Sequence, residues 1–226
     1  MSERGALPLA RLLQLASPVL PVGAFSYSQG LESAVEAGLV RDRATAERWI
    51  GDVAAFSLAR WELPVLARLM TAWRDNDAAH AAAWNARFVA SRESAELRAE
   101  TVQMGYSLTS LLRQLEVEGH AALDTLEEPA FPAAFALAAH AWAIEPRDAM
   151  TAYLWSWIEN AAMAAVKCVP LGQTDAQRML LSMGARIDAL VTEALGLDDG
   201  VMSNGLQNLA LLSARHETQY SRLFRS

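Results

Sequence analysis

In a segment running from about Ser91 to Gln114 and just past it, the residues Leu97, Thr101, Met104, Leu108, Leu111 and Leu115 return at alternating intervals of four and three. Only a helix of about 3.6 residues per turn gathers such positions into one stripe. A helix with one apolar stripe has to bury it against other helices, so this spacing commits the region to helix-on-helix packing. Arg92, Glu96, Glu100, Gln103 and Arg113 fall on other faces, and the alternation of carboxylates with arginines reads as a solvated helix surface. A second such stripe follows Pro146, a residue suited to a first helical turn because its missing N–H needs no partner there. It carries Leu154, Ile158, Ala161, Ala165 and Cys168, and it ends before Pro170.

Further helices are expected near 7–16, 27–37, 43–59, 62–74, 77–90, 131–143, 174–195 and 204–215. Pro64 falls in a first turn, and Thr174 and Asp175 are placed to cap. The stretch Glu116 to Pro132 is the expected long connection. No segment alternates with period two over the length of a strand. The expected fold class is therefore all-α, a compact multi-helix bundle of about ten helices with essentially no sheet, forming a single domain over 1–226. Clustered small residues such as Ala161, Ala162, Ala164 and Ala165 suit close helix approach inside it.

Composition decides which partners suit such a bundle. A hydrophobic fraction of 53% is enough for a sizeable core, and a net charge of −7 disfavours a nucleic-acid partner. The one cysteine, Cys168, has no intrachain partner for a disulfide and cannot anchor a thiolate metal site alone. The opening residues are interrupted by Arg11, Pro18 and Pro21, unlike a secretory signal, and no run is apolar for membrane-spanning length. A cytoplasmic protein with no membrane association is the expectation.

Motifs for chemistry are hard to find. There is no phosphate-binding loop, and the sole lysine, Lys167, is not preceded by glycines. GAFSYSQG does not space its glycines as a nucleophile elbow. The histidines at 80, 120, 140 and 216 lack a second ligand at metal spacing, although His216 and Glu217 could both offer ligands near the C-terminus. No catalytic residue is nominated, so the chain is expected not to be an enzyme. A helical-bundle enzyme would need convergent carboxylates or histidines, and a DNA-binding regulator would need a basic recognition helix.

Three segments are unusual for a plain bundle. Ser17 to Gly30, SPVLPVGAFSYSQG, is an apolar loop held by two prolines, after which Ser26 or Ser28 could cap a helix; Phe25, Tyr27 and Gln29 are its candidate contact residues. It either folds onto its own core or offers a partner surface. Lys167 to Gln177 ends one helix and starts another through Pro170 and Gly172. Lys167 there suits the helix dipole, while Gln173 and Gln177 lie one turn apart. The segment from Arg215 to Ser226 carries Tyr220, Leu223 and Phe224 among arginines, the residue types that dominate binding hot spots. It either continues the last helix through Leu209, Leu212, His216, Tyr220 and Leu223, or forms a docking tail that orders with a partner.

These segments are where a family resemblance enters. Leu12 to Glu32 (LLQLASPVLPVGAFSYSQGLE), Ala90 to Arg98 (ASRESAELR) with Gln103, Met104 and Gly105, Val166 to Gln173 (VKCVPLGQ) and His216 to Ser226 (HETQYSRLFRS) resemble, in order, the urease accessory proteins of the UreF family. Ala176 stands where that pattern has glycine, and Gly200 to Leu209 lacks the expected proline. The resemblance implies an all-helical, homodimeric chaperone without enzymatic activity. It binds UreD (also called UreH), recruits the GTPase UreG, and so helps insert nickel into the urease apoprotein. It further implies docking of UreD/UreH by Tyr220, Arg222, Leu223, Phe224 and Arg225, and support of UreG by Lys167, Pro170, Gly172 and Gln173. No cofactor is expected to be tightly bound; nickel would be handled transiently, through an internal polar passage formed with UreD.

Overall fold

The computed structural model describes residues 6–226. It contains α1 (Ala6–Ala16), α2 (Leu31–Glu36), α3 (Arg43–Val53), a π-helical stretch (Ala54–Glu62), α4 (Leu63–Arg74), α5 (Ala78–Ala90) and α6 (Ala95–Gln114). These are followed by α7 (Phe131–Ala141), α8 (Pro146–Cys168), α9 (Gln173–Gly184), α10 (Ile187–Leu195) and α11 (Gln207–His216). Short 3-10 turns occupy Ala24–Ser26 and His120–Thr125, and no strand occurs among the described residues. The all-α expectation holds.

The centre is α7. Its sequence, FPAAFALAAHA, has no polar face, and its residues from Phe131 to Ala139 are all buried, as expected of a helix enclosed on every side. It packs against α4, α5, α6 and α8. The approach of α6 is so close that a Cβ added at Gly105 would stand 1.9 Å from the Pro129 carbonyl oxygen. Phe131, Phe135 and Tyr153 meet edge-on or tilted where α7 joins α8. On α8 the alanines 161, 162, 164 and 165 are all buried, so the internal reading of that run is right.

Several boundaries differ from expectation. The two helices anticipated at 43–59 and 62–74 are continuous, joined by the π-helical stretch immediately before Pro64. Proline leaves the carbonyl four residues back without its helical donor. Here that carbonyl, on Arg60, accepts from the Ser203 N–H at 3.2 Å. The single helix expected over 174–195 is instead two, broken at Ala185 and Arg186. Gly172 is the N-cap of α9 and Asp175 lies in its first turn, accepting weakly from the Gly172 N–H at 3.4 Å; no capping bond involves Thr174. The helix expected over 27–37 starts only at Leu31, because Gln29 (φ 50°) and Gly30 (φ 76°) are left-handed and cannot continue a right-handed turn. Ser28, not Ser26, reaches it, accepting from the Glu32 N–H at 3.3 Å.

The stripe on α6 is also rotated. Leu97, Thr101, Met104 and Leu108 are buried as expected, but the line continues through Leu112, leaving Leu115 about half exposed. Glu100 lies within the buried face, one turn after Leu97 and one before Met104.

Candidate functional site

The last helix does not continue through Tyr220 and Leu223. It stops at His216, and residues 217–226 turn back across α2, the start of α6 and the loop before α2. Three carboxylates receive this tail. Glu32 accepts the main-chain N–H of Leu223 at 2.7 Å and of Phe224 at 3.0 Å. Glu96 takes Arg222 at 2.7 Å. Glu100 accepts the Ser226 hydroxyl at 3.1 Å. Ser28 contributes both its N–H, at 2.8 Å, and its hydroxyl, at 2.5 Å, to the Ser226 main-chain oxygen, and the Ser26 carbonyl accepts the Arg225 N–H at 2.8 Å. The tail thus lies against the loop like an irregular extra layer, its main-chain donors satisfied partly by the Glu32 side chain and partly by main-chain carbonyls.

His216 is the pivot. It is fully buried, with Nδ1 2.6 Å from Glu96 and Nε2 3.2 Å from Glu32. Both contacts are N–H···O bonds at once only when the ring carries two protons; otherwise a carboxyl supplies one. The carboxylates engage opposite ends of the ring, so the three groups do not converge on one ion, and no group of three potential ligands able to hold a metal occurs among the described residues. Glu217, anticipated beside His216 as a second ligand, instead accepts from the Ala95 N–H at 2.7 Å, at the start of α6.

The tail side chains divide by exposure. Tyr220 is fully exposed and Leu223 is 72% exposed, whereas Phe224 is buried. The Lys167 ammonium lies 5.4 Å from the centre of the Phe224 ring, a cation–π contact. The residues assigned by sequence to two different partners therefore meet at Lys167 and Phe224. Pro170, Gly172 and Gln173 lie exposed at the α8–α9 corner.

The loop residues also separate. Phe25 is 66% exposed, while Tyr27 is buried and its carbonyl accepts from Asn160 at 3.2 Å. Burial, with the nearby Glu100 charge, pushes the Tyr27 phenol up, and the facing Arg225 side chain opposes this. Gln29 donates to Glu100 at 2.6 Å and accepts from the Trp157 indole at 2.5 Å. Its left-handed backbone is uncommon outside glycine and asparagine, and these two bonds hold the side chain that requires it.

Beneath the tail lies a charged core that the sequence reading placed in solvent. Arg92 is not on a solvated face: its side chain is 7% exposed, paired with Glu62 at 2.7 Å and stacked over Phe88 at 4.4 Å. The Tyr153 hydroxyl donates to the other Glu62 oxygen at 3.0 Å. Burial raises the Glu100 carboxyl to about 7, against the lowering effect of its bonds from Gln29 and Ser226. The Cys168 thiol is pushed up to about 11 by burial and then by Glu32, which keeps it protonated. Spacing alone put Glu100 among the solvated faces of α6, although it stands one turn from both Leu97 and Met104, and Arg92, before the start of α6, left no signal of burial.

Known proteins are similar to this chain along nearly its whole length. A family model described as UreF matches residues 40–184. The urease accessory protein UreF of Azoarcus sp. (strain BH72) is 58% identical, the alignment covering 98% of this chain and 97% of the relative. That of Dechloromonas aromatica (strain RCB) is 55% identical over 97% and 98%, and that of Methylobacillus flagellatus 50% over 96% and 97%.

Proposed function

This chain belongs to the UreF family of urease accessory proteins, and from that premise we propose that it is a non-catalytic adaptor in nickel-dependent urease maturation. The observation that carries the reading is the division of the tail. Main-chain N–H groups donating to Glu32, the Arg222 and Ser226 side chains donating to Glu96 and Glu100, the Ser28 donors on the Ser226 main-chain oxygen and the buried Phe224 anchor it, while Tyr220 and Leu223 project away from the core. An aromatic and an aliphatic side chain held out on a fixed backbone lose little conformational freedom when a partner covers them. UreD/UreH would dock there, contacting Tyr220 and Leu223 with Arg222 and Arg225 at the rim and Phe224 as the internal anchor.

The α8–α9 corner, with Lys167, Pro170, Gly172 and Gln173, would support recruitment of the GTPase UreG. Because Lys167 touches Phe224, occupation of the tail can bear on that corner directly. A homodimer would present both surfaces twice and raise the effective concentration of partners around the urease apoprotein. Nickel would pass through the assembly without a tight site on this chain, and the assembly would work in the cytoplasm. No helix among the described residues is long and apolar enough to cross a membrane.

The test is urease activity in nickel-supplied cells that express the urease operon with and without this chain. Activity lost on deletion, restored by the intact chain but not by one ending at Arg215, is the expected result. Full activity without the chain under limiting nickel would overturn the adaptor role. Retention of UreD/UreH on the chain ending at Arg215 would overturn the assignment of the tail. Tight stoichiometric nickel binding by the isolated protein would count against transient handling.

A further inference from the structure

A cavity of about 420 Å³ opens between the loop 17–25, α6 and α8. Leu15, Leu20, Val22, Met104 and Phe131 give it an apolar interior, and Phe25, Met163 and Lys167, all partly or largely exposed, stand at its mouth. Arg92 lines it from within. One of its terminal nitrogens, Nη1, is committed to Glu62 and the guanidinium face is stacked on Phe88. The remaining donors, Nε and Nη2, are buried and have no hydrogen-bond partner among the described residues.

Those two donors share one edge of the guanidinium and point in parallel, the fork that takes both oxygens of a carboxylate. Buried charged donors without acceptors are rare and costly in a folded core, and here the pair belongs to a residue lining a cavity. We propose that this cavity is a binding site for a small monocarboxylic acid with an apolar body, its carboxylate held by the Nε/Nη2 edge of Arg92. The apolar lining takes the body of the acid, and Lys167 at the mouth favours entry of an anion. The neighbouring carboxylates limit the charge the site accepts. Glu62 is already satisfied by Arg92 and Tyr153, and Glu159 also lines the cavity. Glu100, raised to about 7, is partly protonated near neutrality. A monoanion fits this balance and a dianion such as phosphate does not. The interior of the site is independent of the docking surfaces, though it shares Lys167 and Phe25 with them.

The experiment measures binding to the intact chain, by titration calorimetry and saturation-transfer NMR, of butyrate, benzoate, their uncharged amides and inorganic phosphate. A capped glutamate peptide is included as a further probe. The expected result is at least tenfold tighter binding of butyrate or benzoate than of the matching amide, with phosphate no better than the amides. Arg92→Lys keeps the charge but loses the fork, and should abolish that preference. Met104→Trp fills the cavity with Arg92 intact, and should weaken the acids tenfold or more. If Arg92→Lys fails to fold, the wild-type acid-to-amide ratio and Met104→Trp still decide. Equal binding of acid and amide would overturn the proposal, as would acid binding untouched by Met104→Trp, since that would place the anion outside, at Lys167. Preference for the peptide over every free acid would move the carboxylate to a partner's side chain and overturn the free-acid assignment.

Discussion

The α6–α7 crossing and the seam under the C-terminal tail are both buried, yet they are built in opposite ways. At the crossing, Gly105 lets the backbone entering α7 lie against α6, and α7 itself has no polar face; side-chain hydrogen bonds are confined to its first turn, where Thr101 accepts from the Phe131 N–H and Asn85 from the Ala130 N–H. At the seam, irregular backbone lies on Glu32, Glu96, Glu100 and His216, and nearly every contact is a charged or main-chain hydrogen bond. Close packing without polar groups is stiff and indifferent to pH, whereas a seam of carboxylates around a histidine holds only while each group keeps its partner. The first suits a scaffold, and the second suits a surface that answers to a partner.

The largest effect that would sharpen this contrast is expected from Gly105→Ala. The new methyl would overlap the Pro129 carbonyl, whose backbone has no side-chain freedom with which to yield, so a loss of about 4 kcal/mol or more is expected by chemical denaturation. A loss below about 1 kcal/mol would show that the crossing is softer than it looks.

Glu32→Gln attacks the seam instead. It leaves one acceptor oxygen where two served the N–H groups of Leu223 and Phe224 and the His216 ring. About 2–3 kcal/mol of tail docking should be lost while the crossing stays intact. Hydrogen exchange should then rise at the Leu223 and Phe224 amides and not within α7. Equal acceleration in both places would erase the distinction between the regions.

Glu100→Gln should separate them by pH. Its carboxyl is raised from about 4.5 to about 7 in the folded chain, chiefly by burial. The folded state therefore holds the proton more tightly, and that contribution is complete below about 4.5 and is lost as pH rises through 7. An uncharged glutamine should accordingly stabilise the protein by up to about 2 kcal/mol at pH 8, with the gain fading towards pH 5. A pH-independent difference in unfolding midpoint would contradict this.

The smallest effect on stability is expected from Tyr220→Ala, within about 0.5 kcal/mol, because the ring touches water on all sides. Retention of UreD/UreH in a co-purification should nonetheless fall at least tenfold. Undiminished retention would take Tyr220 out of the docking surface.

Much of the helical core was legible in the sequence and little of the seam was. The stripes on α6 and α8, the start at Pro146 and the buried alanines of α8 follow from residue spacing and backbone chemistry, which are local. Where local signals were misread, a tertiary partner had changed the outcome. The Ser203 N–H satisfies the carbonyl that Pro64 leaves free, which lets one helix run on where two were expected. Left-handed Gln29 shortens α2 because its side chain bridges Glu100 and Trp157.

By itself the sequence determined the helical class, most helix ends, the apolar faces and the family, since all are carried by short-range patterns. Only the tertiary structure decided that Arg92 and Glu100 are core residues, that the tail lies back on the chain, and that Lys167 meets Phe224. Burying a charge depends on which partners stand within hydrogen-bond reach. Those partners come from afar: Ser226 reaches Ser28 across 198 positions and Glu100 across 126. No periodicity along the chain records such a meeting, because it exists only once the helices have packed.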